Sequence, residues 1–169
     1  MLTREVLFLV LRTVHVISGV FWVGAAFLIT GFVKPTARRL QGDGQRFFQA
    51  LIFQSRLRRW IMVAAWTAVL SGGVLYWCDW RSGWLVTRSG VALTIGALAA
   101  IAALVIGMCV LRVTANRMAA LGKEIQNASG PLSEAQNQRM NALQQKMDRA
   151  GRVEVALFIV VLIGMAVGA

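Results

Sequence analysis

The sequence predicts an all-α, polytopic membrane protein, a bundle of four transmembrane helices with a cytoplasmic helical hairpin as its extension. Its 169 residues are 57% hydrophobic and only 15% charged, with a mean hydropathy of +0.63, whereas soluble domains are typically about a quarter charged. The apolar residues collect in four runs that carry almost no charge, and Lys and Arg collect between alternate runs. A single membrane domain over residues 1–169 is expected, with spans at about 6–33, 60–78, 89–111 and 153–169.

Length supports each span. A hydrocarbon core of roughly 30 Å takes about 20 helical residues, and a helix satisfies its own backbone hydrogen bonds in lipid. The first run, Val6 to Val33, holds only Arg12 and His15 as ionisable groups. Those two residues interrupt what would be the apolar core of a signal peptide, and the run continues without a small-residue cleavage site followed by a soluble mature domain, so the segment is expected to be a retained anchor. The second and third runs, residues 60–78 and 89–111, are free of charge. The fourth, residues 153–169, reaches spanning length when Arg152 to Glu154 sit at the interface.

The net charge of +11 follows the same layout. Loop 34–59 carries Lys34, Arg38, Arg39, Arg46, Arg56, Arg58 and Arg59 against Asp43 alone, and loop 112–152 is similarly rich in Lys and Arg. Only Asp79, Arg81 and Arg88 lie between the second and third spans. The positive-inside rule therefore places both basic loops in the cytoplasm and both termini outside, in a bacterial inner membrane. The basicity orients the chain and can touch anionic lipid, so a nucleic-acid partner is not expected. Tyr76, Trp77, Trp80 and Trp84 mark the outer interface and Trp60 the inner one.

Helices also fill the loops. A turn is expected at Gly42-Asp43-Gly44, after which Phe47, Phe48, Leu51 and Ile52 form a stripe on an interfacial amphipathic helix or an inward extension of the second span. Leu121 and Ile125 extend the third span, the NASGP segment at Asn127 to Pro131 breaks it, and Ser133 with Gln136 forms a capping box. Met140, Leu143, Met147 and Ala150 then complete an antiparallel hairpin whose stripes bury each other, or offer a docking surface. Cys78 and Cys109 lie roughly 30 Å apart along the membrane normal, too far for a disulfide. Gly164 and Gly168 form a GxxxG pair, Gly72 and Gly73 adjoin in the second span, and Gly96, Ala100, Ala103 and Gly107 supply small-residue spacing in the third, all suited to close helix packing within the bundle.

An ionisable group inside a span is by default a functional candidate. Arg12, His15, Gly19, Trp22 and Ala26 recur at three and four spacing and share one face of the first helix. Such a face suits haem b or another tetrapyrrole: His15 toward the metal, Gly19 leaving room for a flat macrocycle, Trp22 at its edge and Arg12 toward a propionate. A single histidine provides one axial ligand, so the second would be Met, an open position or another protomer. A structural role, with His15 hydrogen-bonded to a neighbouring helix and Arg12 anchored at the interface, is the alternative.

The segment LRTVHVISGVFWVGAAF resembles the first-helix signature of the copper resistance D-like membrane proteins, matching at His15, Trp22 and Gly24. It is similar, less closely, to the small membrane protoporphyrinogen oxidase of bacteria, and GFVKPTARRL and VLSGGVLYW resemble uncharacterised four-helix proteins of that broad group. The oxidase resemblance implies haem at the first-helix His and a functional Lys in a later helix, but no span here contains Lys. The copper resemblance implies copper handling, for which Met62, Met108, Cys109 and Met165 are the soft candidates. No acid and nucleophile pair, phosphate loop or zinc spacing is present, so catalysis by this chain alone is not expected. Two functions remain: an accessory or scaffold subunit of a larger respiratory or photosynthetic membrane complex, through a membrane-protein partner or a homo-oligomer, and a haem b- or copper-binding protein of electron or metal transfer using His15.

Overall fold

The computed structural model describes residues 2–79, 84–127 and 133–168. Trp80, Arg81 and the NASGP break beyond Asn127 lie outside the described residues, as does the side chain of Asp79. Every described element is helical, and four helices are long and apolar enough to cross a membrane: Thr3–Arg39, Leu57–Cys78, Arg88–Asn127 and Glu134–Gly168.

Helix α1 (Leu2–Leu28) widens into a π-turn at Ile29–Val33 and continues as α2 (Lys34–Arg39). Pro35 supplies the reason. It has no amide proton to donate, and its ring crowds the carbonyl four residues back; a wider turn, in which the Lys34 amide bonds to the Ile29 carbonyl, relieves both. The chain bends at Leu40 and enters α3 (Gln41–Gln49). Gly42-Asp43-Gly44 is thus the first turn of a helix rather than the turn that its composition suggests. A Cβ on Gly44 would stand 2.1 Å from the Ala37 carbonyl oxygen, so glycine here lets α3 fold tightly against α2, and Asp43 suits the positive end of the helix dipole.

A second π-turn, Ala50–Gln54, ends at Ser55, whose backbone is extended (φ −82°, ψ 164°). That break separates the Phe48 and Ile52 stripe from α4 (Leu57–Asp79), so the stripe is a helix of its own and not an extension of the second span. After a 3₁₀ turn at Trp84–Val86, Thr87 caps α5 (Arg88–Val105) by accepting from the Gly90 amide at 3.0 Å. A third π-turn, Ile106–Leu111, leads into α6 (Arg112–Asn127). Helix α7 (Glu134–Gly168) opens with the capping box expected from sequence: the Gln136 amide donates to Ser133 Oγ at 3.2 Å and the Ser133 amide to Gln136 Oε1 at 3.1 Å.

Packing joins α1 chiefly to α4 and α5 chiefly to α7. Along the second seam Gly96 faces Gly164, and Gly168 faces Leu93, so the GxxxG pair is consumed within the chain. The core between the two pairs is small and alanine-rich, with Ala65, Ala68, Ala99 and Ala103 around Trp22 and Phe158. These two rings meet edge to face at 4.9 Å and tie α1 to α7. Beyond the core, α6 packs on α7, and Leu121 and Ala150, one from each expected stripe, are both buried.

Candidate functional site

The α1 face that carries His15 turns toward α4. His15 Nδ1 lies 2.9 Å from the Ala68 carbonyl oxygen and 3.3 Å from Ser71 Oγ. A carbonyl only accepts, so Nδ1 is the donor and Nε2 is the nitrogen left free of this bond. Ser71 donates back to the Thr67 and Ala68 carbonyls, which fixes its hydroxyl beside the ring. Gly72 makes the close approach feasible, because a Cβ there would stand 2.7 Å from His15 Cε1. The two adjoining glycines of the second span therefore differ in role: Gly72 receives the imidazole, while a Cβ on Gly73 would meet nothing within 4 Å.

The other residues of the same face are placed differently. Arg12 is exposed and, among the described residues, has no hydrogen bond or ion pair. A Cβ on Gly19 would meet nothing within 4 Å, so space lies beside α1 one turn beyond His15. Trp22 is buried, at 5% exposure, against Phe158. Gly24, also part of the first-helix signature, is exposed and open. Met108 and Met165 are half-buried against the core and Met62 is half-buried on α4, whereas Cys109 is exposed, and no group of three His, Cys, Asp or Glu side chains that could hold a metal occurs among the described residues.

A second site lies farther along α1, toward the basic loops. A cavity of about 170 Å³ runs from Trp22, Ala26, Ile61 and Ala65 at its apolar end to Lys34, Arg58 and Arg112 at the other. Each of the three π-turns contributes to its wall: Ile29 and Thr30 from the first, Ile52 from the second, Gly107 and Leu111 from the third. Phe48 of α3 and Met147 of α7 also line it. A π-turn rotates the residues after it around the helix axis, and such turns gather at functional sites.

Glu154 of α7 lines this cavity at 7% exposure. Among the described residues it has no hydrogen bond or ion pair. Its Oε1 would be 3.3 Å from a Cβ on Gly107, so that glycine leaves the carboxyl room on the α5 side. Of the cations nearby, Lys34 and Arg38 pair with Asp148 and Arg58 Nη1 donates to Asn116 Oδ1 at 3.0 Å, whereas Arg112 has no hydrogen bond or ion pair among the described residues. Burial opposes ionisation of Asp148, but the bonds from Arg38 and Lys34 outweigh it and hold that carboxyl below its ordinary 3.8.

From sequence Glu154 reads as an interfacial charge beside Arg152, and its burial depends on the α5 backbone opposite. The available signal is the register: once Gly96 is set against Gly164 in an antiparallel pair, Gly107 falls near Glu154. A scan of protein-family models and searches of curated proteins and of solved structures find no match to the chain.

Proposed function

We propose that this chain is a multi-pass protein of the bacterial inner membrane, with loops 34–59 and 112–152 in the cytoplasm and both termini outside, serving as an accessory subunit of a larger membrane assembly. The observation that supports this best is Arg12, a charged residue on an exposed helix face without a partner among the described residues. Arg12 and Lys34 are separated by roughly 33 Å along the helix, close to the thickness of the hydrocarbon core. With Lys34 at the inner interface, Arg12 stands at the outer one, and Val6 to Val10 continue beyond it as largely exposed apolar surface. An apolar helical stretch outside the bilayer, next to an unpaired guanidinium, favours contact with another membrane protein over lipid alone.

A photoreactive amino acid at Leu9, in native membranes, tests this. The expected product is a protein adduct that weakens with Arg12→Leu, while the same probe at Leu70 on α4 gives lipid adducts. Lipid adducts alone at both positions would reject the accessory reading.

One observation favours a second reading, haem b at His15. Metal-ligating histidines commonly donate their other ring N–H to a carbonyl, which is the arrangement between His15 and Ala68. Nε2 and the open turn at Gly19 fit one axial position and part of a macrocycle, and the fainter likeness to the small membrane protoporphyrinogen oxidase points the same way. Haem would supply one-electron chemistry; His15 would hold the iron, and Ala68 would keep its tautomer. A Soret band in the purified chain that disappears in His15→Ala supports this reading, and a colourless protein with native stability rejects it.

A further inference from the structure

We propose that the cavity at Glu154 binds the single-ring head of a lipid-soluble quinone or quinol, with the carboxyl as its hydrogen-bonding anchor and the tail in the bilayer. Size comes first: a closed apolar cavity of about 150 Å³ takes one benzene ring, and this one measures about 170 Å³. One ring fits. The wall suits a flat apolar body, with Trp22 and Phe48 as aromatic faces and Ile61, Ala65 and Leu104 between them.

Polarity narrows the head group further. Glu154 is buried with no partner among the described residues, an arrangement that is costly unless something else completes it. A carboxyl can accept from a hydroxyl or donate to a carbonyl, according to its protonation, and the two forms of a quinone present those two groups. Thr30 adds a hydroxyl nearby, its Oγ1 3.4 Å from a Cβ on Gly151, one turn before Glu154. A cationic head would share the cavity with Arg58 and Arg112 at its basic end, where Lys34 is already balanced by Asp148.

The test uses the full chain in lipid nanodiscs, titrated with a decyl-substituted benzoquinone while tryptophan emission is followed. Saturable quenching is expected. Glu154→Leu should weaken it about tenfold, the effect of losing one buried hydrogen bond. Gly107→Val, which fills the space beside the carboxyl, should weaken it similarly, while Glu154→Gln, of the same shape, keeps part of the affinity. Circular dichroism and the thermal midpoint identify folded variants, and Glu154→Gln with Gly107→Val decides the matter where Glu154→Leu fails to fold. Linear, unsaturable quenching, or saturable quenching unchanged in the folded variants, would overturn the proposal. So would saturable binding of tetraphenylphosphonium with none of the quinone.

Discussion

Gly96 and Gly164 face each other across the α5 and α7 seam so closely that a Cβ on Gly164 would stand 2.9 Å from the Gly96 Cα and 2.6 Å from the Ala92 carbonyl oxygen. Backbone, rather than a flexible side chain, occupies the space, so neither helix can give way locally. Gly164→Val should therefore destabilise the bundle by about 3 kcal/mol, the upper part of the usual range for overpacking. Gly73→Ala provides the control, since a Cβ there meets nothing within 4 Å and alanine is the better helix former. Thermal unfolding of both variants in one detergent would show the contrast, and equal midpoints would contradict the seam.

His15 and Gly72 are expected to be coupled. Gly72→Ala places a methyl 2.7 Å from His15 Cε1 and should force the ring off the Ala68 carbonyl. Losing one such interhelical bond costs about 1 kcal/mol in membrane proteins. His15→Ala should remove that bond too, yet it also removes the clash, so Gly72→Ala should cost almost nothing in the His15→Ala background. A double-mutant cycle on unfolding midpoints measures this coupling; additive effects would mean that the two residues do not touch.

Asp148 gives the pairing of α2 with α7 a pH dependence. Its carboxyl titrates below the ordinary 3.8 in the folded chain, so the folded state holds the proton less tightly than the unfolded one. The contribution is complete above about pH 4 and disappears as the pH falls through the lowered folded value. Unfolding midpoints between pH 7 and pH 2 should drop at the acid end for the native chain and less steeply for Asp148→Asn. Lys34→Ala with Arg38→Ala should reproduce the flatter profile.

The capping box at the start of α7 acts locally. Ser133→Ala removes the oxygen that accepts from the Gln136 amide and should cost about 1 kcal/mol. Hydrogen exchange at Gln136 should accelerate, while amides near Phe158, in the fully buried part of the same helix, keep their protection. Unchanged exchange at Gln136 would show that tertiary contacts hold the first turn without the cap.

Features with a strong local cause could be read from sequence. Ser133 and Gln136 need only three-residue spacing, and the long apolar runs need only a count of residues against bilayer thickness. The glycine pairs signalled close packing, although their partners depended on which helices would meet. Glu154 was obscured because the backbone it packs against is at Gly107, almost fifty residues earlier, within a π-turn at Ile106–Leu111 that no spacing rule announces. Arg12 and His15 were visible as ionisable groups on one face, but their separation, one exposed and one turned onto Ala68, follows from where α4 packs against α1.

The preference of α1 for α4 and of α5 for α7 has a consequence for how the chain is made. Each pair is drawn from one half of the sequence, so the first hairpin can close as it leaves the ribosome, before the second exists, and little loop-closure entropy is spent on distant partners. What remains for the last stage is docking two finished halves through a handful of large side chains, Trp22 and Phe158 foremost. A polypeptide divided between residues 79 and 84 and expressed as two pieces should accordingly still assemble, and the quality of that reunion would depend on the contacts around Trp22 and Phe158.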